Sequence, residues 1–353
     1  MEIKNLLTKI EKLKGGIYIM SKDVIGDLKT CSVVTRHSEN PILAPDNVPY
    51  NPALTFNAGV TKFNEKYIML IRNDYIREGA NNIDSSLTDI GVAYSDDGIN
   101  WEVVSKPIYK PQEDSEIINR VYDPRITVLD DKYYIYFAVD TDHGVRGGLA
   151  ETEDFKDFTM ISMSVPDTRN MVLFPEKING KYVRLERPFS EYGIGWAREL
   201  GNDIWLSKSK DLKYWGEAEL VLPTSEVSFA NSKIGPSAPP VKTKKGWLTT
   251  FHAVDKDPSR GKNGWEDEWK RRYTCGLMLL DLEDPGQIIG KYDKPLIAPE
   301  ADYETKGGFR NNVIFPGGMI LEDNGEVKIY YGAADTVECL AVADVNDLIE
   351  LCI

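Results

Sequence analysis

A pattern of paired strands recurs five times along the chain and constrains the fold more than any other feature. Each copy has an apolar strand, a short polar turn and a returning strand that is rich in aromatic or apolar residues. The five copies are 56–72, 123–137, 169–185, 235–252 and 311–332. The third copy turns at Asn179-Gly180, which is a strong signal for a two-residue hairpin.

A second, weaker pair of strand-like segments follows each copy. These segments are rich in small residues and end in acidic or serine-containing turns, at 90–102, 147–159, 203–216, 274–285 and 338–348. Units of four strands that begin about fifty to eighty residues apart predict an all-β fold, a five-bladed β-propeller. An irregular two-sheet sandwich is the alternative, but it does not explain why both halves of the unit repeat.

The chain before the first repeat has a different pattern. Residues 1–14 carry apolar side chains at helical spacing, and Gly15-Gly16 ends the pattern. We therefore predict that 1–50 forms a short N-terminal helix and an irregular extension, and that 51–353 forms one five-bladed catalytic propeller. Because so short a helix is marginal alone, we expect it to dock on the body or on another subunit, and we expect a homo-oligomer.

Charge and composition limit the partners. The formal net charge is −14, which argues against nucleic acid and against anionic membrane surfaces. The N-terminus lacks a signal-peptide core and no apolar run could span a membrane, so we expect a cytoplasmic protein. The four cysteines have no metal-ligand spacing, and we expect no metal or other cofactor. A bound anion would need a local cluster of basic residues.

The start of each innermost strand of a propeller faces the central channel. The polar residues at these positions should therefore converge on one pocket; they are Asn57, Tyr122, Asp123, Arg169, Asn170, Lys233, Asn311 and Asn312. Asp123 precedes Pro124, which disfavours helical backbone, so we expect an extended, stiff backbone there. Asp123 is a candidate general acid; the alternative is a turn-capping aspartate that pairs with Arg125.

Longer motifs in the same regions resemble those of glycoside hydrolase family 130, the β-mannoside phosphorylases and related mannosidases. They are FNAGVTKFNEKYIMLIRND (56–74), YDPR (122–125), RNMVLFPEKINGKY (169–182), ERPFSEYGIGW (186–196), KIGPSAPPVKTKKGWLTTFH (233–252), NVIFPGG (312–318) and YYGAADT (330–336). Because they run in the family's order from residue 51 to about 350, the resemblance covers nearly the whole chain. YDPR is more similar to the branches that act on mannobiose and mannooligosaccharides than to the mannosylglucose branch.

The resemblance implies a five-bladed propeller and a role for each of these residues. It places the general acid at Asp123 and implies a proton relay through the mannose 3-hydroxyl, but the sequence leaves open whether Asp123 acts directly or through that hydroxyl. It implies that inorganic phosphate, as a co-substrate, is bound by Arg169, Asn170, Arg187, Lys233, His252 and Tyr273. Channel-facing groups expected to bind the sugar are Asn57, Arg72, Asn73, Asp74, Tyr122 and Asp335. The loop 255–272 is expected to contact the acceptor sugar or another subunit.

The basic set favours one of three functions. An inverting hydrolase needs a second carboxylate to activate water, whereas a phosphorylase needs only the acid, because phosphate is itself a nucleophile. We therefore predict phosphorolysis of β-1,2- or β-1,4-linked mannobiose or mannooligosaccharides, which gives α-D-mannose 1-phosphate. A β-mannosidase of the same fold and a non-catalytic sugar-binding propeller are the alternatives. The sequence leaves the linkage and the acceptor sugar open.

Overall fold

The computed structural model describes residues 24–76, 87–108, 118–189, 202–265 and 269–353, which form five antiparallel sheets. The sheets follow one another along the chain, as the fivefold repeat predicts, and the prediction of an all-β, five-bladed propeller is confirmed. The helix predicted over residues 1–14 lies outside the described residues. No helix in the described ranges is long and apolar enough to cross a membrane.

The first three blades each contain four consecutive strands. Blade 1 is formed by β2 (Leu54–Phe63), β3 (Lys66–Tyr75), β4 (Leu87–Ser95) and β5 (Glu102–Val103). Blade 2 is formed by β6 (Ile118–Leu129), β7 (Lys132–Thr141), β8 (Gly144–Thr152) and β9 (Thr159–Met163). Blade 3 is formed by β10 (Thr168–Leu173), β11 (Tyr182–Pro188), β12 (Ile204–Ser209) and β13 (Trp215–Leu222).

Blade 4 has a divided inner edge. Its strands are β14 (Lys233–Pro236), β15 (Val241–Lys242), β16 (Trp247–Lys256), β17 (Arg271–Leu280) and β18 (Ile288–Lys291). Both β14 and β15 pair with β16, and Pro239-Pro240 lies between them. Proline has no amide hydrogen for a strand ladder, so the inner strand is interrupted at this point.

Blade 5 joins the two ends of the described chain. It consists of β19 (Ile314–Leu321), β20 (Glu326–Ala333), β21 (Val337–Asp344) and, at the outer edge, β1 (Thr35–Arg36). Part of the predicted irregular extension therefore takes part in this blade. Two short helices, α1 (Asp302–Thr305) and α2 (Val345–Glu350), lie beside the sheet. The Asp344 carboxylate caps α2 by accepting a hydrogen bond from the Asn346 amide at 2.7 Å.

Apolar side chains fill the spaces between neighbouring blades. Between blades 1 and 2, for example, Ile68 and Leu70 of β3 pack in one cluster with Ile126 of β6 and Ile135 of β7. All four are at most 3% exposed. Burying a side chain of this size stabilises a fold by about 1.5–3 kcal/mol, so these contacts hold the blades in fixed positions around the channel.

The inner strands of blades 1, 2 and 3 share an irregularity that places polar side chains. Each has a one-residue bulge, and the backbone is left-handed at Asn57 (φ 53°), Asp123 (φ 53°) and Asn170 (φ 56°). Asn and Asp are the residues that tolerate this conformation best after glycine. Bulges of this kind redirect a side chain. Our expectation of an extended backbone at Asp123 is therefore wrong, because the bulge, and not Pro124 alone, decides its conformation.

Candidate active site

Asp123 lies in the bulge of β6 and is held through one of its two carboxylate oxygens. Asn57 Nδ2 donates to Oδ1 at 3.0 Å, and Arg72 donates to the same oxygen at 2.9 Å. Within the described part of the chain, Oδ2 accepts no hydrogen bond. Burial alone would raise the pKa of Asp123, but the positive charges of Arg72 and Arg125 outweigh it and hold that pKa below its usual value. Oδ2 is therefore the oxygen available to carry a proton.

Arg72 connects Asp123 with a second carboxylate. Its guanidinium makes a bidentate pair with Asp74, at 2.9 and 2.7 Å, while its third nitrogen reaches Asp123. The guanidinium also lies over the rings of Phe56 and Tyr122, 4.3 and 4.9 Å from their centroids. A planar cation that packs on two rings and donates hydrogen bonds from three nitrogens has little freedom to move, so it fixes the orientation of the Asp123 carboxylate.

Asn73 is not part of this group. Successive side chains on a strand point to opposite faces, so Asn73 lies on the face away from Arg72 and Asp74. It accepts a hydrogen bond from Thr55 at 3.0 Å and donates to Asp89 at 3.0 Å, and it is fully buried. The structure therefore places this predicted sugar-binding residue in a buried network of blade 1 and does not bring it to Asp123.

Arg125 is also buried, but it does not pair with Asp123 through a hydrogen bond. Its guanidinium donates to the backbone carbonyls of Ser237 and Pro124, at 2.7 and 2.8 Å. Its side chain is 3% exposed. Arg125 thus ties blade 2 to the interrupted inner strand of blade 4, and the turn-capping alternative for Asp123 does not describe this arrangement.

Tyr122 and Arg169 link the acid to the basic residues of blade 3. Arg169 donates to the Tyr122 hydroxyl at 3.0 Å, and that hydroxyl donates to Asp140 Oδ1 at 2.7 Å. No carboxylate of the described ranges forms an ion pair with Arg169. The neighbouring Asn170 has a buried Oδ1 without a hydrogen-bond partner among the described residues. Both side chains are thus available to a ligand.

Arg187 and His252 meet in the interior between blades 3 and 4. Arg187 donates to His252 Nε2 at 3.2 Å, and His252 Nδ1 lies 3.4 Å from Ser237 Oγ. Burial and then the charges of Arg187 and Lys233 hold the pKa of His252 well below its usual range. His252 is therefore neutral at pH 7, and its remaining proton is assigned to Nδ1 because Nε2 accepts from Arg187.

Lys233 completes the basic cluster, which we define as Arg169, Arg187, Lys233 and His252, and Tyr273 packs against it. The Lys233 ammonium lies 5.4 Å from the centre of the Tyr273 ring, which also stacks on His252. Burial and the charges of Arg187 and Arg169 hold the pKa of Lys233 well below its usual range. No carboxylate in the described part of the chain pairs with Lys233. These effects show that four residues from two blades share one small space, as predicted.

Asp335 approaches the pocket from blade 5. It has a left-handed backbone (φ 48°), it accepts a hydrogen bond from Arg310 at 3.3 Å, and burial raises its pKa. The charges of Arg72 and Asp123 also act on it, so it faces the same channel. Trp269 of the loop 255–272 stacks on Tyr273 with ring planes 14° apart. Residues 266–268 of that loop lie outside the described residues.

Sequence reasoning missed several residues that the fold adds to the pocket. Arg120 donates to Asp74 at 3.2 Å, Asp140 holds Tyr122, and Arg310 holds Asp335. Arg120 lies two positions before Tyr122 on β6, and strand alternation could have indicated its shared face. Asp140 and Arg310 carry no comparable local signal, because their partners are distant in sequence. Among the described residues, no group of His, Cys, Asp and Glu could hold a metal ion.

Gly235 offers a test of how tightly the basic cluster is packed. A Cβ at this position would lie 2.5 Å from His252 Cε1 and 3.3 Å from Arg187 Cδ. We therefore expect Gly235→Ala to displace both side chains and to weaken phosphate binding about tenfold, as expected for one impaired charge-assisted contact. Gly216→Ala is the matched control, because nothing lies within 4 Å of its Cβ position. Equal phosphate affinity in both variants would contradict the close packing of Gly235 against His252 and Arg187.

A propeller with one candidate acid and, nearby, Arg169 and Lys233 without a carboxylate partner among the described residues has the features of an enzyme that acts on a sugar together with a small anion. The chain is a member of glycoside hydrolase family 130, because the family profile described as β-1,4-mannooligosaccharide phosphorylase matches residues 25–353. The resemblance found in the motifs is confirmed.

Individual relatives agree with this membership. The chain is 30% identical over 318 residues to a 1,2-β-oligomannan phosphorylase of Thermoanaerobacter sp. (strain X514), covering 89% of this chain and 98% of that protein. It is 30% identical to a β-1,4-mannooligosaccharide phosphorylase of Ruminococcus albus, covering 90% of each. The solved β-1,2-mannobiose phosphorylase of Listeria innocua, in complex with β-1,2-mannobiose, has a TM-score of 0.75 and 26% identity, covering 90% of this chain and 98% of that structure.

Proposed function

We propose that this protein is an inverting phosphorylase that cleaves β-linked mannobiose or mannooligosaccharides with inorganic phosphate and releases α-D-mannose 1-phosphate. One observation carries the proposal: Asp123 faces a channel in which Arg169 and Lys233 have no acidic partner in the described part of the chain. Inside a protein with a net charge of −14, basic side chains without carboxylate partners, as Arg169 and Lys233 are among the described residues, serve a small dianion far better than neutral water.

The chemistry follows from the two sides of the channel. Phosphate held by the basic cluster attacks the anomeric carbon from the face opposite the leaving oxygen, so the configuration inverts. The leaving oxygen takes a proton from Asp123 Oδ2, directly or through a sugar hydroxyl. The resting Asp123 is ionised, because its pKa is lowered. Bound phosphate adds negative charge and the sugar displaces water, and both changes raise that pKa, so Asp123 takes up a proton from solvent as the substrates bind and then donates it to the leaving oxygen.

Hydrolysis by the same pocket is less well supported. An inverting hydrolase needs a carboxylate that activates water on the face opposite the acid. In the described residues, the pocket carboxylates Asp74, Asp140 and Asp335 are bound to Arg72, Tyr122 and Arg310. A carboxylate that is already paired is a poor base, so the arrangement favours phosphate as the nucleophile.

A panel of β-1,2- and β-1,4-linked mannobioses and longer oligosaccharides, each with inorganic phosphate, tests the proposal and the linkage together. ¹H and ³¹P NMR should show α-D-mannose 1-phosphate as the first product with at least one linkage. A β-configured sugar phosphate as the first product would contradict inversion. Failure of every mannoside in the panel would show that the substrate class is wrong.

We also infer that the protein is cytoplasmic. Separately, we infer that it forms a homo-oligomer, since the apolar stripe predicted for residues 1–14 needs a partner. Deleting these residues should reduce the mass measured by light scattering and leave kcat within about a factor of two, because the segment lies outside the shared motifs. An unchanged mass with lost activity would mean that this segment supports the active site instead.

A further inference from the structure

A buried carboxylate that no motif predicts lies behind the acid. Glu338 is in β21, at 0% exposure, and its Oε2 accepts a hydrogen bond from the Ala58 amide at 3.1 Å. Its second oxygen, Oε1, has no hydrogen-bond partner among the described residues. Burying a carboxyl group without full pairing is unfavourable, so its presence between blades 5 and 1 calls for a specific role.

Glu338 is two hydrogen bonds away from the acid. Ala58 directly follows Asn57, whose left-handed backbone forms the bulge, and Asn57 Nδ2 donates to Asp123 Oδ1 at 3.0 Å. The hydrogen bond from Ala58 to Glu338 thus fixes the end of the bulge that carries the Asn57 amide. This contact crosses from blade 5 to blade 1, so it ties the bulge of one sheet to a strand of the other.

Blade 5 packs closely against Asn57 and Ala58. A Cβ on Gly332 would lie 2.1 Å from Asn57 Oδ1, and a Cβ on Gly317 would lie 2.0 Å from the Ala58 carbonyl oxygen. Two glycines of blade 5 therefore let the bulge approach that blade closely. The bulge is thus held in two ways: it packs closely on blade 5, and the Ala58 amide donates a hydrogen bond to Glu338.

The protonation state of Glu338 also suits a residue that anchors the Ala58 amide. Burial raises the pKa of Glu338 to about 8, although the hydrogen bond from the Ala58 amide and then the positive charge of Arg125 oppose the shift. The carboxyl group is thus largely neutral at pH 7, and it holds the Ala58 amide without placing a second negative charge beside Asp123. A glutamine offers the same shape and the same acceptor oxygen, also without charge.

We propose that Glu338 is a positioning residue for the general acid: by anchoring the Ala58 amide it holds the Asn57 bulge, and Asn57 in turn orients Asp123. The inference rests on the proposed function only through the choice of assay. It predicts that Glu338 affects the acid side of the channel and leaves the basic cluster unchanged.

Glu338→Leu keeps the volume of the side chain but removes the acceptor. We expect it to lower kcat about ten- to a hundredfold and to change KM for phosphate less than about threefold. Glu338→Gln should restore kcat to at least about a third of the original value. If Glu338→Leu keeps the full kcat, or if Glu338→Gln is as impaired as the leucine variant, the proposal is wrong.

A double-mutant cycle with Asn57→Ala separates positioning from a general loss of structure. If Glu338 acts through Asn57, the double variant should have a kcat within about twofold of Asn57→Ala alone, because coupled residues are not additive. If the fold-loss of kcat in the double variant equalled the product of the losses in the two single variants, the proposal would be overturned. Glu304→Gln is the matched control, since Glu304 is an equally buried carboxylate near blade 5 that bonds to Arg36 and Tyr331 and does not touch the bulge. The control should keep kcat. If no mannoside turns over in the unmodified protein, the proposed function fails before this question arises.

Discussion

Replacing Asp123 with asparagine should lower kcat by about 10²- to 10⁴-fold while the fold stays intact, since general acid catalysis is worth about that much. Asparagine keeps an oxygen that can accept the hydrogen bonds now made by Asn57 and Arg72 to Oδ1. It places an amide where Oδ2 is, and that amide cannot deliver a proton to the leaving oxygen. The loss should therefore appear in kcat, with circular dichroism and melting temperature close to those of the unmodified protein.

Asp211→Asn is the matched control for this prediction. Asp211 lies in a surface turn of blade 3, where the amides of Tyr214 and Lys213 donate to it and lower its pKa. The same chemical change at this position should leave kcat unaltered. If Asp123→Asn retained more than about a tenth of the rate, Asp123 would not be the acid.

Removing a cation from the basic cluster should weaken phosphate binding selectively. Lys233→Ala or Arg169→Ala should raise KM for phosphate about ten- to a hundredfold, because a charge-assisted hydrogen bond contributes roughly 1.5–3 kcal/mol. KM for the mannoside should change much less. Lys242→Ala is the control from the same blade, since Lys242 pairs with Glu176 at the surface. A larger rise in KM for the mannoside than for phosphate would contradict the assignment.

The low pKa of Lys233 has a consequence for the pH dependence of phosphate binding. An amine with a lowered pKa loses its proton at a lower pH, and binding of the dianion returns it, because opposite charge favours the protonated form. Phosphate affinity should therefore fall as the pH rises above the pKa that Lys233 has in the free enzyme. Calorimetry in two buffers of different ionisation enthalpy should show more proton uptake in the unmodified protein than in Lys233→Ala. Equal proton uptake would mean that Lys233 is already charged.

The sequence was sufficient to predict the fold and most of the pocket because both depend on local, repeated signals. Hairpin turns and alternating apolar strands define each blade, and the start of each inner strand marks the channel. This rule located Asp123, Arg169 and Lys233 without any knowledge of their contacts. Strand alternation also explains why Asn73 lies apart from Arg72 and Asp74, because one position along a strand moves a side chain to the opposite face of the sheet.

Other features depend on contacts between distant residues and carry no local signal. The left-handed conformation of Asp123 requires the bulge, which forms only when β6 pairs with β7. Glu338 lies 280 positions from Ala58 in sequence, and its burial beside the bulge follows from closure of the ring. The same holds for Thr35–Arg36, a two-residue strand that is defined only by its pairing with β21.

The most direct test of phosphorolysis is the dependence of product formation on phosphate. Purified, phosphate-free protein is incubated with the mannobiose that gives the fastest turnover, with and without inorganic phosphate, and both α-D-mannose 1-phosphate and free mannose are quantified over time. We expect the glycosidic bond to be cleaved only when phosphate is present, with one mannose 1-phosphate formed for each bond broken. Cleavage to two molecules of free mannose at the same rate with and without phosphate would show that the protein is a mannosidase.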